Sequence, residues 1–329
     1  MALAPPVATL TLNPSADISV EVDRWRPGEK LRAKVVRWDP GGGGLNVARV
    51  MRALGLDSLA IHTAGGPEGE KLNHALDRAG LHHRPIAIED ATRISVLIAD
   101  RKTGDRYTLT FPGPVLSEDE CAACLAAVSA SGSTRGTLVA SGSVPPGAPV
   151  DFYAQVARLV AEAGGKFILD TSGAALKPAL GERIWLAKLN HAELVDLAGR
   201  PLESRDAVIA FARELVASRR LENLAVTLGA EGALLITTDG AHTCPSPRIN
   251  ARSPVGAGDS FLAALVVSLF NGEPVDQALR IAVSAGAAAA SGEGTSLVQP
   301  KAAADIIRLF EHRIGGVVAE LAAEDITPR

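Results

Sequence analysis

Short apolar segments alternate along this chain with stretches that have the periodicity of amphipathic helices. The apolar segments lie at 7–12, 58–64, 136–142, 166–172, 184–189 and 223–229. The helical patterns lie at 45–54, 68–79, 117–129, 150–163 and 204–218. Continuously apolar strands separated by helices are typical of a parallel sheet that is covered on both faces. The alternation therefore predicts an α/β fold with three layers and a mostly parallel central sheet.

Two regions depart from this pattern. Residues 18–38 and 92–111 alternate apolar with polar side chains, as half-exposed antiparallel strands do. They predict a small antiparallel β-sheet that stands off the main domain as a lid. The apolar face of such a sheet needs a cover, and the candidates are the substrate, the main domain and a second subunit.

Length and composition fit one domain with this lid inserted in it. The 329 residues are 47% hydrophobic and only 4% aromatic, which suits helices packed closely on a sheet. We expect residues 1–329 to form a single domain. The formal net charge of −4 argues against a nucleic-acid partner, so a bound anion needs a local basic pocket. No segment predicts a signal peptide or a membrane span, and we expect a cytoplasmic protein with no membrane partner.

Three cysteines, Cys121, Cys124 and Cys244, are too few for a disulfide framework. Cys121 and Cys124 have the spacing of a redox or metal motif. They lie within a helical pattern, however, and no second CxxC pair or His-rich segment accompanies them. We therefore interpret both as residues of a buried helix face.

The familiar phosphate-loop and nucleophile motifs do not match this chain. Gly-x-x-x-x-Gly-Lys-Ser/Thr is absent, and "GGGGLNV" from Gly41 lacks the third glycine of Gly-x-Gly-x-x-Gly. Gly-x-Ser-x-Gly is absent as well. The sequence thus argues against a P-loop, a Rossmann dinucleotide site and a nucleophile elbow.

"VGAGDSF" at 255–261 joins a glycine turn to a carboxylate at the start of an apolar helical pattern. Free N–H groups at a helix N-terminus favour an anion, and the glycines at 256 and 258 let an anion come close. Asp259, beside a bound phosphoryl group, could then take a proton from an attacking hydroxyl. The alternative is that Asp259 only caps the helix. The motif by itself leaves both hypotheses open.

Two further stretches stand out. "PGGGGLNVAR" at 40–49 is either a loose turn or a backbone surface for a polyhydroxylated ligand, with Asn46 as donor and acceptor. A basic stripe interleaved with two tryptophans comprises Arg24, Arg26, Lys30, Arg32, Lys34 and Arg37. We interpret most of these as solvated strand charges, with one or two available to hold a substrate phosphate.

Taken together, these residues resemble the PfkB branch of the ribokinase-like sugar kinases. The resemblance covers about 7–313 and rests on motifs in the family's order: TLNPSAD, PGGGGLNVAR, SGSVPPG, LDTSG, KLNHAEL, VTLGAEGAL and VGAGDSF. Within that branch the chain is most similar to minor-type 6-phosphofructokinases. The resemblance implies a ribokinase-like domain and ATP-dependent phosphorylation of a ketohexose phosphate, with fructose 6-phosphate as the first candidate. The alternatives are a fructose-1-phosphate or tagatose-6-phosphate kinase, another PfkB-type sugar kinase, and a non-catalytic sugar-phosphate sensor.

The same resemblance implies roles for individual residues. Asp259 would be the base, and the anion hole would comprise Gly256, Ala257 and Gly258. The substrate would be held by Asp17, Lys30, Arg32, Gly42, Gly43, Asn46, Arg93 and Ser143, with Arg32 reaching in from a second subunit. The nucleotide would contact Lys188, Asn190, Thr227, Gly229 and Gly232. Mg²⁺ would be held through water by Asp170, Asn190 and Glu193.

ATP and Mg²⁺ are thus the implied cofactors, and a requirement for a monovalent cation is left open. The implied partners are the sugar phosphate, ATP and a second copy of the chain, joined through the lid sheet as a homodimer. The motifs depart from the family at two positions. Leu189 stands where the family has proline, and Pro254 stands where it has Thr or Ser, which removes a backbone donor near the nucleotide. Residues 314–329 predict no more than a short helix.

Overall fold

A computed structural model of the chain describes residues 7–218, 220–251, 255–292 and 297. Its strands are β1 (Val7–Thr11), β2 (Ser15–Val22), β3 (Lys34–Gly41), β4 (Leu59–Ala64), β5 (His83–Ala87), β6 (Arg93–Asp100), β7 (Arg106–Thr110), β8 (Thr137–Ser141), β9 (Lys166–Asp170), β10 (Ile184–Asn190), β11 (Leu221–Thr227), β12 (Ala233–Ile236) and β13 (Ala241–Cys244). Its α-helices are α1 (Gly43–Ala53), α2 (Gly66–Arg78), α3 (Glu118–Ala130), α4 (Phe152–Glu162), α5 (Leu176–Leu180), α6 (His191–Ala198), α7 (Arg205–Ala217), α8 (Ala257–Phe270) and α9 (Val275–Ser291). Pro254 and the short helix predicted within 314–329 lie outside the described residues.

The larger sheet, in this part of the chain, has nine strands in the order β13-β12-β11-β10-β9-β8-β1-β4-β5. All pairs from β11 to β5 are parallel, and β12 and β13 extend the β11 edge as antiparallel strands. The six strands that the sequence predicts form the contiguous centre of this sheet, from β11 to β4. The predicted α/β architecture with a mostly parallel sheet is therefore confirmed.

Side chains of the central strands alternate between two apolar layers. Leu138 belongs to an apolar layer that also contains side chains of α3, α4 and α7, whereas its neighbour Val139 belongs to the opposite layer, which contains side chains of α1, α8 and α9. α8 is buried along most of its length because it lies between the sheet and α9. Although α8 is strongly apolar, no helix in the described ranges is long and apolar enough to cross a membrane.

Cys121 and Cys124 lie on the face of α3 that packs into the first of these layers. Both are free thiols, and burial raises the pKa of each above its ordinary value. A buried thiol with a raised pKa is a poor nucleophile and a poor metal ligand. Their position confirms the interpretation of this pair as part of a buried helix face.

The lid is a separate four-stranded sheet in the order β3-β2-β6-β7. Its outer pairs, β2–β3 and β6–β7, are antiparallel as predicted, whereas the central pair, β2–β6, is parallel. The central pair departs from the prediction because both hairpins start at the main domain, so their first strands run the same way. The predicted lid regions 18–38 and 92–111 contain these strands, but residues 23–33 form an exposed connection between β2 and β3.

The two faces of the lid differ in polarity. Cross-strand pairing puts Ile18, Val96 and Leu109 on one face, and Asp17 on the opposite face. Trp38, which pairs with Ile18, packs against a small apolar cluster of α1 and α2. Farther from the main domain the apolar face is open, and Leu109 is 48% exposed. The main domain thus covers only the base of this face.

Candidate active site

Polar residues gather where the central strands end. Asn13 follows β1, Ser143 follows β8, Asp170 ends β9, and Asn190 ends β10. Parallel strands present their carboxyl ends at one edge of a sheet, so these side chains meet at the same end of the domain. The polar face of the lid and the start of α8 border this region. The fold thereby assembles one cleft from segments that are distant in the sequence.

Asp259 lies in the first turn of α8 and is only partly exposed. Its Oδ2 atom accepts a hydrogen bond from Asn46 Nδ2 at 2.9 Å, although the two residues are 213 positions apart. α8 begins after Gly256, whose φ of 77° is a left-handed conformation that favours glycine. The carboxylate of Asp259 is therefore bonded across the cleft to α1, and it lies beside the first amides of its own helix.

The surroundings of Asp259 raise the pKa of its carboxyl group to about 6. Burial is the largest cause, and the charge of Asp170 adds to it. The hydrogen bond from Asn46 and the ammonium of Lys188 oppose this rise without cancelling it. A carboxyl group with a pKa near neutrality is suited to accept a proton during a reaction.

Lys188 supplies a buried positive charge next to this carboxylate. Its Nζ atom lies 3.1 and 3.3 Å from the two carboxylate oxygens of Asp170. Burial opposes the charge, but the surrounding carboxylates, led by Asp170 and Asp259, outweigh burial and raise the pKa of Lys188. A Cβ atom at residue 258 would lie 2.9 Å from Nζ, so Gly258 leaves the room that the ammonium needs. The positive charge is thus held against the N-terminus of α8.

The run of four glycines before α1 is a tightly packed junction. A Cβ atom at Gly41 would clash with the carboxylate of Asp17, and one at Gly43 would clash with Ser141 Oγ. Gly42 has a φ of 114°, a value that side chains rarely allow. The loose-turn alternative is therefore wrong, because the glycines let β1, β8 and the lid approach the start of α1. Contact of Gly42 and Gly43 with a sugar stays a prediction.

Two lid residues that the sequence analysis selected border the cleft. Ser15 Oγ donates a hydrogen bond of 2.6 Å to Asp17 Oδ1, and burial raises the pKa of Asp17 despite this bond and the charge of Arg93. Arg93 donates to the main-chain oxygen of Asn13 from Nε and Nη2 at 3.3 and 3.1 Å. Its Nη1 donates to the oxygen of Phe111 at 3.0 Å. The guanidinium is therefore fixed in one orientation.

Two cavities open in this region. The smaller, of about 630 Å³, is lined by Arg93, Ser143 and parts of the segments 110–112, 144–150 and 172–175. The larger, of about 1010 Å³, includes in its lining Lys188, Asn190, Thr227, Gly229, Gly232, Ala257 and Gly258. All five residues predicted to contact a nucleotide are thus brought together in the larger cavity. Of the residues predicted to hold the substrate, Arg93 and Ser143 line the smaller cavity, whereas Lys30 and Arg32 do not.

Lys30 and Arg32 are the predicted substrate residues that lie apart. Both are exposed on the connection between β2 and β3, and neither lines either cavity. Within one chain, therefore, Arg93 lines the smaller cavity and Lys30 does not lie beside it. A role for Arg32 in a second subunit stays a prediction.

Asn190 and Glu193 form a reciprocal cap at the start of α6. Asn190 Oδ1 accepts from the Glu193 amide at 2.9 Å, and Glu193 Oε2 accepts from the Asn190 amide at 2.7 Å. Burial raises the pKa of Glu193, although the bond from Asn190 and the charge of Lys188 oppose the rise. The predicted metal residues thus have a structural task at this helix end, which fixes the Glu193 carboxylate near Lys188.

The sequence analysis missed two residues that support Asn46. Arg49 Nη1 donates to Pro40 O at 2.9 Å and approaches Asn46 Oδ1 at 3.4 Å, while Nη2 lies 3.7 Å from Asp39 Oδ1. Because the oxygen of the Asn46 amide faces Arg49, its nitrogen faces Asp259. The spacing of Asn46 and Arg49 was an available signal, since residues three apart on a helix are neighbours.

Comparison with known proteins agrees with this geometry. The model of the pfkB family carbohydrate kinases matches residues 11–302. The ATP-dependent 6-phosphofructokinase isozyme 2 of Mycobacterium tuberculosis is 38% identical over 93% of this chain and 89% of its own length. The 1-phosphofructokinase of Bacillus subtilis is 31% identical over 87% of this chain and 93% of its own length. Escherichia coli phosphofructokinase-2 in complex with potassium has a TM-score of 0.89 at 33% identity, over 93% and 99% of the two chains.

The fold and the site therefore define an ATP-dependent sugar kinase. The chain belongs to the pfkB family of carbohydrate kinases, as its motifs predicted.

Proposed function

We propose that this protein transfers the γ-phosphoryl group of ATP to fructose 6-phosphate, giving fructose 1,6-bisphosphate. The observation that carries the proposal is Asp259, a carboxylate with a raised pKa at the start of α8, beside Lys188 and the larger cavity. A base, a fixed positive charge and helix N-terminal amides are what phosphoryl transfer to a hydroxyl needs.

Asp259 accepts the proton of the attacking sugar hydroxyl. The hydroxyl oxygen forms a bond to the γ-phosphorus while the bond from that phosphorus to the bridging oxygen of ADP breaks. The amides of Gly256, Ala257 and Gly258 and the ammonium of Lys188 stabilise the negative charge on the transferring group. Asn46 holds Asp259 in its orientation through the 2.9 Å hydrogen bond. ADP and the bisphosphate then leave.

Two carboxylates next to residues that line the larger cavity, Asp170 beside Lys188 and Glu193 beside Asn190, suit Mg²⁺ that is carried in with ATP. Asp170 and Glu193 supply the carboxylate oxygens that Mg²⁺ prefers. In the residues that the structure describes, no three His, Cys, Asp or Glu side chains are arranged to hold a metal ion directly. This donor set fits an ion that keeps several waters and is bound partly by the nucleotide phosphates. Asp170, Asn190 and Glu193 would hold it through water, and it would neutralise phosphate charge.

Fructose 6-phosphate is the favoured substrate because the named relatives include ATP-dependent 6-phosphofructokinases and the smaller cavity holds a fixed guanidinium. Fructose 1-phosphate is the second candidate, since 1-phosphofructokinases are 31% and 32% identical to this chain. Tagatose 6-phosphate is the third, and an unphosphorylated sugar would leave the Arg93 guanidinium at the smaller cavity without an anionic partner.

The test is a coupled assay of ADP release with ATP, Mg²⁺ and K⁺ over a panel of sugars. The panel contains fructose 6-phosphate, fructose 1-phosphate, tagatose 6-phosphate, fructose and ribose. We expect the highest kcat/KM with fructose 6-phosphate. A higher kcat/KM with any other member would replace the proposed substrate by that sugar. No ADP release with the whole panel would favour a sugar-phosphate sensor.

Arg93→Ala is expected to raise the KM for fructose 6-phosphate by about 10- to 100-fold, since hydrogen bonds to charged groups are strong. The KM for ATP should change less than twofold, because Arg93 lines only the smaller cavity. Steady-state kinetics with each substrate varied in turn measures both constants. Arg106→Ala, an exposed lid arginine on β7, is the matched control and should leave both unchanged. Equal increases in the two KM values would argue against a phosphate clamp.

We further propose that the protein is a homodimer joined through the apolar face of the lid. Val35 is 64% exposed and Leu109 48% exposed on this face, at the two edges of the sheet. An uncovered apolar sheet face is a characteristic interaction surface, and a second copy supplies a self-complementary cover. A structure of the E. coli protein, 32% identical with a TM-score of 0.88 over 93% and 99% of the chains, is described as a tetrameric inhibited form.

Leu109→Asp is expected to convert the dimer to monomers, because it sets a charge in the apolar contact. Thr108→Asp is the control, since Thr108 is equally part of exposed β7 and points to the opposite face. Light scattering after size-exclusion chromatography gives the mass of each variant. A monomeric wild-type protein, or a dimer that tolerates Leu109→Asp, would refute this interface.

A further inference from the structure

We propose that Asn13 is a positioning residue for substrate phosphate: its amide turns the Ser143 hydroxyl into a hydrogen-bond donor that faces the smaller cavity. This inference rests on the proposed function, because it requires a sugar phosphate bound beside Arg93. It concerns a residue that the sequence analysis did not select, at the junction of the main domain and the lid.

Asn13 is 4% exposed and lies two residues after the end of β1. Its Nδ2 atom donates to the main-chain oxygen of Pro112 at 2.9 Å and to Ser143 Oγ at 3.0 Å. An amide NH₂ group has two protons, so both are used. One of these partners belongs to the chain that leaves the lid, and the other to the loop after β8. A single buried side chain thus joins three segments of the cleft.

The orientation of the Asn13 amide is determined by Pro112. A main-chain oxygen only accepts hydrogen bonds, so turning the amide over would set two oxygens against each other. Ser143 Oγ therefore accepts from Asn13, and the one proton of its hydroxyl group remains for another partner. Ser143 is exposed and lines the smaller cavity, so a ligand there can accept that proton.

The main chain of Asn13 fixes the other donor of this cavity. Its oxygen accepts from Arg93 Nε and Nη2, and Phe111 O accepts from Arg93 Nη1. A guanidinium group has five N–H donors, so two remain. No carboxylate lines the cavity among the described residues. Two N–H groups, one O–H group and a positive charge match the oxygens of a phosphate.

Packing alone gives a poor account of an asparagine at this position. Its Oδ1 atom is buried without a hydrogen-bond partner in the described structure. Gly113 lies directly against this oxygen, since a Cβ atom there would clash with it. An unpaired buried oxygen is unfavourable, and an apolar side chain of similar size would avoid it. The advantage of asparagine over an apolar side chain at this position is therefore its two N–H donors, which bind Pro112 O and Ser143 Oγ.

The experiment compares the wild-type protein with Asn13→Ala, Ser143→Ala and the double variant in ADP-release kinetics. Asn13→Ala keeps the main-chain oxygen that binds Arg93 but removes the bonds to both Pro112 O and Ser143 Oγ, so the double variant is needed to assign the effect to Ser143. We expect each single variant to raise the KM for fructose 6-phosphate about tenfold, the scale of one hydrogen bond to a charged group. The kcat, the KM for ATP and the kcat/KM for unphosphorylated fructose should change less than twofold.

The double variant decides whether Asn13 acts through Ser143. We expect its KM for fructose 6-phosphate to equal that of Ser143→Ala, because the two changes remove one interaction. An increase equal to the product of the single effects would overturn the proposal. An unchanged KM in Ser143→Ala would overturn it too, whatever the folding of the Asn13 variants.

Two further measurements separate a loss of folding from a loss of phosphate binding. Asn13→Leu has a similar branched shape, no charge and neither donor, so it should show the same rise in KM when thermal unfolding shows it folded. A KM unchanged in both Asn13 variants would refute the positioning role. A wild-type protein without preference for fructose 6-phosphate over fructose would instead refute the proposed function, before any variant is compared.

Discussion

Asp259→Asn is expected to lower kcat by about 10²- to 10⁴-fold, the usual loss when a general base is removed. The asparagine oxygen can still accept the hydrogen bond from Asn46, so the first turn of α8 and the larger cavity should be preserved. It cannot take the proton of the sugar hydroxyl. Initial rates with saturating fructose 6-phosphate and ATP measure the loss, and calorimetric titration should give an ATP affinity near the wild-type value.

Asp276→Asn is the matched control for this change. Asp276 is also an aspartate in the first turn of a long helix, α9, but its side chain is 71% exposed and contacts His242. If a carboxylate near a helix N-terminus only stabilises the helix, both variants should behave alike. Near-normal turnover in Asp259→Asn would show that Asp259 is not the general base and would favour the alternative that it only caps the helix.

Lys188→Met is expected to lower kcat by about 10²- to 10³-fold, the scale of one lost donor to the transition state. It should also change the pH profile. The wild-type kcat/KM should fall below a pH of about 6, because Asp259 must be ionised to accept a proton. The Lys188 charge opposes the rise of that pKa, so its removal moves this acid limb to higher pH. Kinetics from pH 5 to pH 9 locate the limb.

Folding must be separated from catalysis in this variant. Asp170 loses its ion-pair partner and keeps only the 3.4 Å hydrogen bond from Ser141 among the side-chain contacts described, so the thermal unfolding midpoint should fall. Rates are therefore compared at temperatures where the variant is fully folded. Lys166→Met removes an exposed lysine from β9 that lies over the Trp185 ring, and it should leave the profile unchanged. An acid limb that stays near pH 6 in Lys188→Met would show that Lys188 does not act on Asp259.

The centre of the main sheet was predictable, whereas its edges were not. β1, β4, β8, β9, β10 and β11 are flanked on both sides and are therefore apolar enough to detect. β5 contains Pro85, which lowers its apparent strand character and is tolerated because β5 is an edge strand. β12 and β13 have four residues each, too few for a periodic pattern.

The sequence analysis did not predict α9, because the small apolar residues of its second half run continuously without an amphipathic pattern and are interrupted by Gly286. Glycine inside a helix weakens it, and the reason for this one appears only in three dimensions. A Cβ atom at residue 286 would lie 3.2 Å from the oxygen of Ala257, where α9 packs on the start of α8. The packing of α9 on the start of α8 thus requires a close approach at Gly286, which composition does not reveal.

The candidate site was predictable as a set of motifs, because each motif follows a strand or starts a helix at the same edge. The pairings between motifs were not. The contact of Asn46 with Asp259 and the ion pair of Lys188 with Asp170 depend on the folded arrangement of β9, β10, α1 and α8. Lys30 and Arg32 are close together in the basic stripe of the sequence, but in the folded chain both are exposed on the β2–β3 connection and do not reach the cleft.

The glycine junction has a mechanical consequence. β3 ends at Gly41 and α1 begins at Gly43, so one residue connects the lid to the helix that carries Asn46. A strand and a helix joined so briefly cannot move independently. Any tilt of the lid would therefore rotate the first turn of α1, and with it Asn46, whose amide donates to Asp259. In the proposed reaction, closure of the lid on a sugar and alignment of Asp259 would be coupled in this way.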